Sequence, residues 1–103
     1  MEREPGEYYR LEGQAIVAFA AKRMAESDAA LARLIEAYHE GAAVQIAQAY
    51  AYRGERAKAF DWLDRAVVQR DAGMVNIKTD PMFAALRGDT RYRAVLRRMN
   101  LPE

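Results

Sequence analysis

The chain has 103 residues and no cysteine; 51% of it is apolar, and 16 basic against 15 acidic side chains leave a net charge of +1. That is one small domain with enough apolar residues for a substantial core. The near-neutral balance gives no ground for a nucleic-acid or membrane-surface role. The missing cysteines exclude a disulfide framework, a thiol nucleophile and a zinc finger, and no apolar run reaches the roughly 20 residues of a membrane span. The charged start MEREPGEYYR is no secretory signal. The expectation is a cytoplasmic protein that needs no cofactor or metal. Its abrupt ends would suit a piece of a longer protein.

Abundant alanine and scarce proline predict an all-α fold. Residues 1–6 are polar and expected to be loose. A first helix follows over about 7–25, with Tyr8, Leu11, Ala15, Val17, Ala18, Ala21 and Met24 as its apolar stripe, which Ile16 and Phe19 widen. Ser27 is a suitable N-cap for a second helix over about 28–39, whose apolar face is Leu31, Leu34, Ile35 and Tyr38. The stretch Ala42 to Asp71 carries two more helical patterns, over about 42–53 and 55–70. Ala43, Ile46, Ala47, Tyr50 and Ala51 recur at helical spacing before Gly54, and Ala59, Phe60, Leu63, Ala66 and Val67 after it. Gly54 tolerates the left-handed backbone that commonly ends a helix, so these two helices form an antiparallel hairpin. Asp71-Ala72-Gly73 breaks the chain, and residues 74–78 are either a short helix or an extended connector. Asp80 caps a helix over about 81–86 with Pro81 at its first position, and Asp89 caps a last helix over about 90–99. Arg91, Arg93, Arg97 and Arg98 supply a polar outer face there.

The pattern Ala43-x2-Ile46-Ala47-x2-Tyr50, Gly54, Ala59-x3-Leu63, Ala66 resembles a tetratricopeptide repeat, a helix-turn-helix unit of about 34 residues. Ala43 stands where the pattern has Trp, and Asp71 where it closes on Pro. A weaker first repeat, Gln14-x2-Val17-Ala18-x2-Ala21 with Ala30-x3-Leu34 and Ala37, lies 29 residues earlier (59 − 30 = 29), which demands a tight connection at His39-Glu40-Gly41. Lys78 to Phe83, Leu86 to Tyr92 and Leu96 to Pro102 resemble the closing segment of bacterial tetratricopeptide proteins, a group whose longer members often carry a cyclase or a winged-helix domain. The resemblance implies a right-handed stack in a single domain. Repeat 1 spans 7–39, repeat 2 spans 40–73, and a capping helix pair spans 74–103.

No constellation for catalysis stands out. His39 is the only histidine and has no partner for a metal site, so it reads as a helix-end residue. Asp61, Asp64 and Glu55 are interleaved with Arg53, Arg56, Lys58 and Arg65, and read as a solvated helix face with an Asp61–Arg65 pair. The C-terminal arginines lack the groove-fitting helix or stacking platform of a nucleic-acid site. An enzyme is a distant alternative.

The resemblance implies instead a concave wall that grips a peptide or helix. If Ala47 and Tyr50 face the hairpin partner, Gln45, Gln48 and Tyr52 line that wall. Glu12, Phe19, Lys22 and Arg23 are the matching places on the first repeat. Phe19 and Tyr52 would anchor the ligand; Gln45, Gln48, Lys22 and Arg23 would select it. The family's carboxylate-clamping variety uses Lys and Asn, where this chain has Ala15, Phe19, Val44, Gln45 and Gln48, so capture of a C-terminal carboxylate is not expected. The expected function is a protein-interaction scaffold or regulatory module. The second expectation is a homodimer formed through a flat apolar face with Tyr8, Tyr9 and Ile16.

Overall fold

The computed structural model describes residues 6–69 and 77–99, and these are all-α. Helices α1 (Glu7–Ala20) and α2 (Met24–Tyr38) form one antiparallel hairpin, and α3 (Ala43–Tyr52) and α4 (Arg56–Gln69) a second; a 3-10 helix (Pro81–Leu86) and α5 (Thr90–Arg98) follow. None of these helices is long and apolar enough to cross a membrane. The expected break at 71–73 and residues 74–76 of the connector lie outside the described residues, but Ile77 beyond them is fully buried.

Composition explains the central helix. Ala43, Ala47 and Ala49 of α3 have no exposed surface, so small side chains let α1, α2, α4 and the 3-10 helix all approach it. Ile46, Leu63, Leu34 and Phe83 fill the space around it, each fully buried. Burial of each stabilises the fold by about 1.5–3 kcal/mol relative to exposure. Two caps predicted from sequence are in place: the Asp80 carboxylate accepts from the Met82 backbone N–H at 2.9 Å, and Asp89 accepts from the Arg91 N–H at 2.9 Å. Asp89 also meets the Arg91 guanidinium, and these hydrogen bonds hold its carboxyl down at about 2. On the far side, α5 packs on α4, with Arg91 4.7 Å above the Phe60 ring and Arg98 2.6 Å from Asp64. Arg91, Arg93, Arg97 and Arg98 are all exposed, as the polar outer face requires.

The first hairpin departs from expectation. Helix α1 ends at Ala20, not near 25, and α2 begins at Met24, not 28. The turn is made by Lys22, whose φ of +64° is left-handed. The Lys22 N–H donates to the Phe19 carbonyl and the Arg23 N–H to Ala18, the paired bonds of a Schellman ending. Gly54 (φ +78°) does the same between α3 and α4, with bonds from Gly54 to Ala51 and Glu55 to Tyr50. Lysine gives no sequence signal for this conformation, so the turn escapes a reading that looks for glycine.

Because the two turns correspond, the hairpins repeat at 32 residues (54 − 22 = 32), not 29. In that register Leu11, Ala15, Ser27 and Leu31 match Ala43, Ala47, Ala59 and Leu63, and all eight are buried. Val17 and Ala21, expected inside, are exposed, Val17 at 68%. Ser27 is no N-cap: it is buried within α2, and its hydroxyl donates 2.8 Å to the Ala15 carbonyl, joining α2 to α1. The expected Asp61–Arg65 pair is replaced by Arg65 lying 4.5 Å over the Trp62 ring.

Candidate interaction site

The residues expected on the concave wall divide into three groups. Glu12, Gln45 and Gln48 form the first. Glu12 and Gln48 lie by the C-terminal segment, whose 3-10 helix packs on α3 with Phe83 and Leu86 fully buried. Its capping residue Asp80 accepts a hydrogen bond from the Gln48 amide. Gln45, one turn earlier on α3, is 9% exposed, and so is Glu12 on α1. Burial, with the Asp80 carboxylate as a second cause, raises the Glu12 carboxyl from 4.5 to about 7. This part of the wall is therefore occupied by the chain itself.

Phe19 and Tyr52 form the second group, at the turn end of the same wall. Their rings meet edge to face with centroids 6.1 Å apart, and Tyr52 remains 45% exposed. The Arg53 guanidinium lies 5.6 Å from the Phe19 ring. It is held there by Asp28 at 2.7 Å and Glu55 at 3.0 Å and by a 3.3 Å hydrogen bond to the Ser27 hydroxyl. Its side chain is only 8% exposed, so it is a strut between α2 and the second hairpin. The contact with Glu55 is an ion pair without hydrogen-bond alignment. Lys22 is exposed in the turn, its backbone N–H bonded to the Phe19 carbonyl.

Arg23 belongs to neither group. It borders a groove on the other side of α1, away from Glu12 and Phe19, and pairs loosely with Glu26 at 3.7 Å. This groove of about 620 Å³ runs between α1 and α2, with Val17, Ala18 and Ala21 on one wall and Ala29, Ala30 and Arg33 on the other. Met24, 45% exposed, begins α2 beside it. The sequence reading missed this surface because the 29-residue register turned Val17 and Ala21 inward. The correspondence of Lys22 with Gly54 shows only in the backbone, because lysine does not advertise a left-handed turn.

The matching turns allow the two hairpins to be compared residue by residue. Ala18, Ala21 and Glu26 in the first hairpin correspond to Tyr50, Arg53 and Lys58 in the second, and those three border α2 at Leu31 and Ile35. The second hairpin thus meets α2 with the α3 half of its counterpart face, whereas Asp61 and Arg65, the counterparts of Ala29 and Arg33, are exposed. No described residue outside α1, α2 and their turn lines that face of the first hairpin, while α5 packs on α4 of the second.

The tyrosines of α1 are engaged within the chain. Tyr8 lies 4.2 Å from Tyr9 and 5.9 Å from Tyr38 between ring centroids, and the Tyr38 hydroxyl donates 2.8 Å to Glu7. Tyr9 is 57% exposed and Ile16 half-buried. His39 is exposed at the end of α2, with Nδ1 3.0 Å from the Ile35 carbonyl and Nε2 3.9 Å from Glu40. No cluster of three or more metal-ligating side chains occurs among the described residues. Set against family models, curated proteins and solved structures, the chain matches none of them.

Proposed function

We propose that the chain is a protein–protein interaction module of the tetratricopeptide kind, and that it holds a helix against the open face of its first hairpin. One observation carries the reading. The α1–α2 groove is apolar and exposed at Val17, while in the second hairpin the α3 half of the equivalent face packs on α2. The family reading is supported by two antiparallel hairpins in a common register, each ending its first helix in the same turn. The groove is lined largely by alanines and bordered by Arg23, Glu26 and Arg33, so the partner chemistry is a helix with a small-residue face flanked by charges of both signs.

The test is a photo-crosslinking residue at position 17, with position 94 on the exposed side of α5 as control, in the protein expressed in its own cells. The expected result is an adduct from position 17 alone, mapped to one helical segment and abolished by Ala29→Asp. Adducts of equal yield from both positions, or none from position 17, would refute the reading.

A second reading keeps the concave side, supported by the exposed Tyr52 ring set against Phe19. Tyr52→Ala with Phe19→Ala tests it. Loss of partner binding at an unchanged thermal midpoint supports an anchor there, and collapse of stability shows a core pair instead.

A further inference from the structure

We infer that the helix taken by the first hairpin is α2 of a second copy, packed antiparallel across a two-fold axis. The inference rests on the open-face reading above and adds the identity of the occupant. It comes from the order of charges along α2. Arg23, Glu26, Arg33 and Glu36 lie in and beside one face, with the small residues Ala29 and Ala30 midway between them. Glu26 and Arg33 are equally far from that midpoint, and so are Arg23 and Glu36. A two-fold axis through it therefore places Glu26 opposite the partner copy's arginine and Arg33 opposite its glutamate. The outer pair, Arg23 with Glu36, falls opposite its complement in the same way. Sequence order thus makes the face self-complementary, whereas a parallel pairing in register would set like charges together.

The charges are available for this. Arg33 and Glu36 are exposed and have no ion pair with another described residue. Arg23 and Glu26 meet only each other, at 3.7 Å, with side chains 67% and 65% exposed. At the centre, Ala29 is exposed and Ala30 forms the groove floor, so two helices can approach closely. Val17 and Ala21 of α1 flank the contact and supply apolar area. Head-to-tail assembly is closed off, since α5 covers the other end of the stack.

The test is a charge swap followed by solution mass. Sedimentation or light scattering of the wild type over a dilution series from millimolar to micromolar should show a dimer that dissociates to the 11.7 kDa monomer. Arg33→Glu or Glu26→Arg alone replaces two symmetric attractions by two repulsions and should raise the dissociation constant about tenfold. An equimolar mixture of the two single variants should recover wild-type affinity as a heterodimer, because both pairs are then attractive. The E26R/R33E double variant should recover it as a homodimer. Circular dichroism of each single variant should match the wild type, since neither side chain packs in the core. A wild type that stays monomeric throughout, or single variants that dimerise unchanged, would overturn the inference. A monomer that still crosslinks through position 17 to a different protein would remove the second copy as occupant while leaving the docking face in place.

Discussion

Replacing Glu12 with glutamine should stabilise the protein at alkaline pH and do almost nothing at acidic pH. Glu12 is 9% exposed, on α1, and the nearby charge of Asp80 adds to the effect of burial. In the unfolded chain its carboxyl loses its proton near 4.5, but in the folded chain only near 7. Below 4.5 both states hold the proton and the residue is neutral in its effect. Between 4.5 and 7 the unfolded chain gives up the proton first, so stability falls as pH rises through this window. Above 7 the full cost is present. Each pH unit by which a pKa moves is worth about 1.4 kcal/mol, so the ionised side chain costs about 3 kcal/mol. Glutamine has nearly the same shape and no charge. Urea unfolding of wild type and Glu12→Gln at pH 4 and pH 8 measures the difference free of every other titrating group. The variant should gain about 3 kcal/mol at pH 8 and only a few tenths at pH 4. In a domain of this size that gain lifts the thermal midpoint by on the order of 10 °C or more. An equal increment at both pH values would refute the assignment of a buried, proton-holding carboxyl at this position.

Other substitutions probe other joints of the fold. Lys22→Gly should stabilise by about 0.5–1 kcal/mol in denaturant titration. It relieves a left-handed non-glycine residue, at about 1–2 kcal/mol, against the glycine's greater unfolded freedom, at about 0.4–1 kcal/mol. Gly54→Ala, at the matching turn, should lose about 1 kcal/mol by the reverse argument. Arg53→Ala should cost about 2–3 kcal/mol by the same titration, through lost hydrogen bonds and stem packing; Asp28, 61% exposed, regains water and keeps the cost from rising further. Phe83→Ala, a fully buried ring, should cost about 3–5 kcal/mol and leave the 3-10 helix less protected from hydrogen exchange than α1 and α2.

Much of the helical order was legible because its signals are local. Asp80 and Asp89 announce caps through their own chemistry, and Gly54 announces a left-handed turn because glycine alone adopts it freely. The first hairpin was misread for the same reason in reverse. Lys22 takes the conformation without the residue type that advertises it, and Ser27 has the chemistry of a cap but spends its hydroxyl on Ala15 across the hairpin. Once the turn was set too late, the α1 stripe had to include Val17 and Ala21, and the exposed face was taken for core. A helix carrying Leu11, Ala15, Ile16, Val17, Ala18 and Phe19 is apolar nearly all round, so its periodicity cannot choose the buried side.

The surroundings of the expected concave residues depend on contacts that no local pattern carries. Glu12, Gln45 and Gln48 look like ligand-selecting residues when only the two hairpins are considered, because polar groups on an inner wall demand partners. Gln48 has one in sequence-distant Asp80, 32 residues further on, Glu12 meets the same carboxylate as a repulsion, and no periodicity carries either contact. Buried polar groups require a partner without specifying whether it comes from outside or from the chain's own end. Here the chain's own end supplies it, and the Glu12 carboxyl, held near 7, keeps a stability cost at the junction that an apolar wall would avoid. The α1–α2 face shows the opposite case: Val17, Ala29 and Arg33 are exposed, and no other described residue covers them.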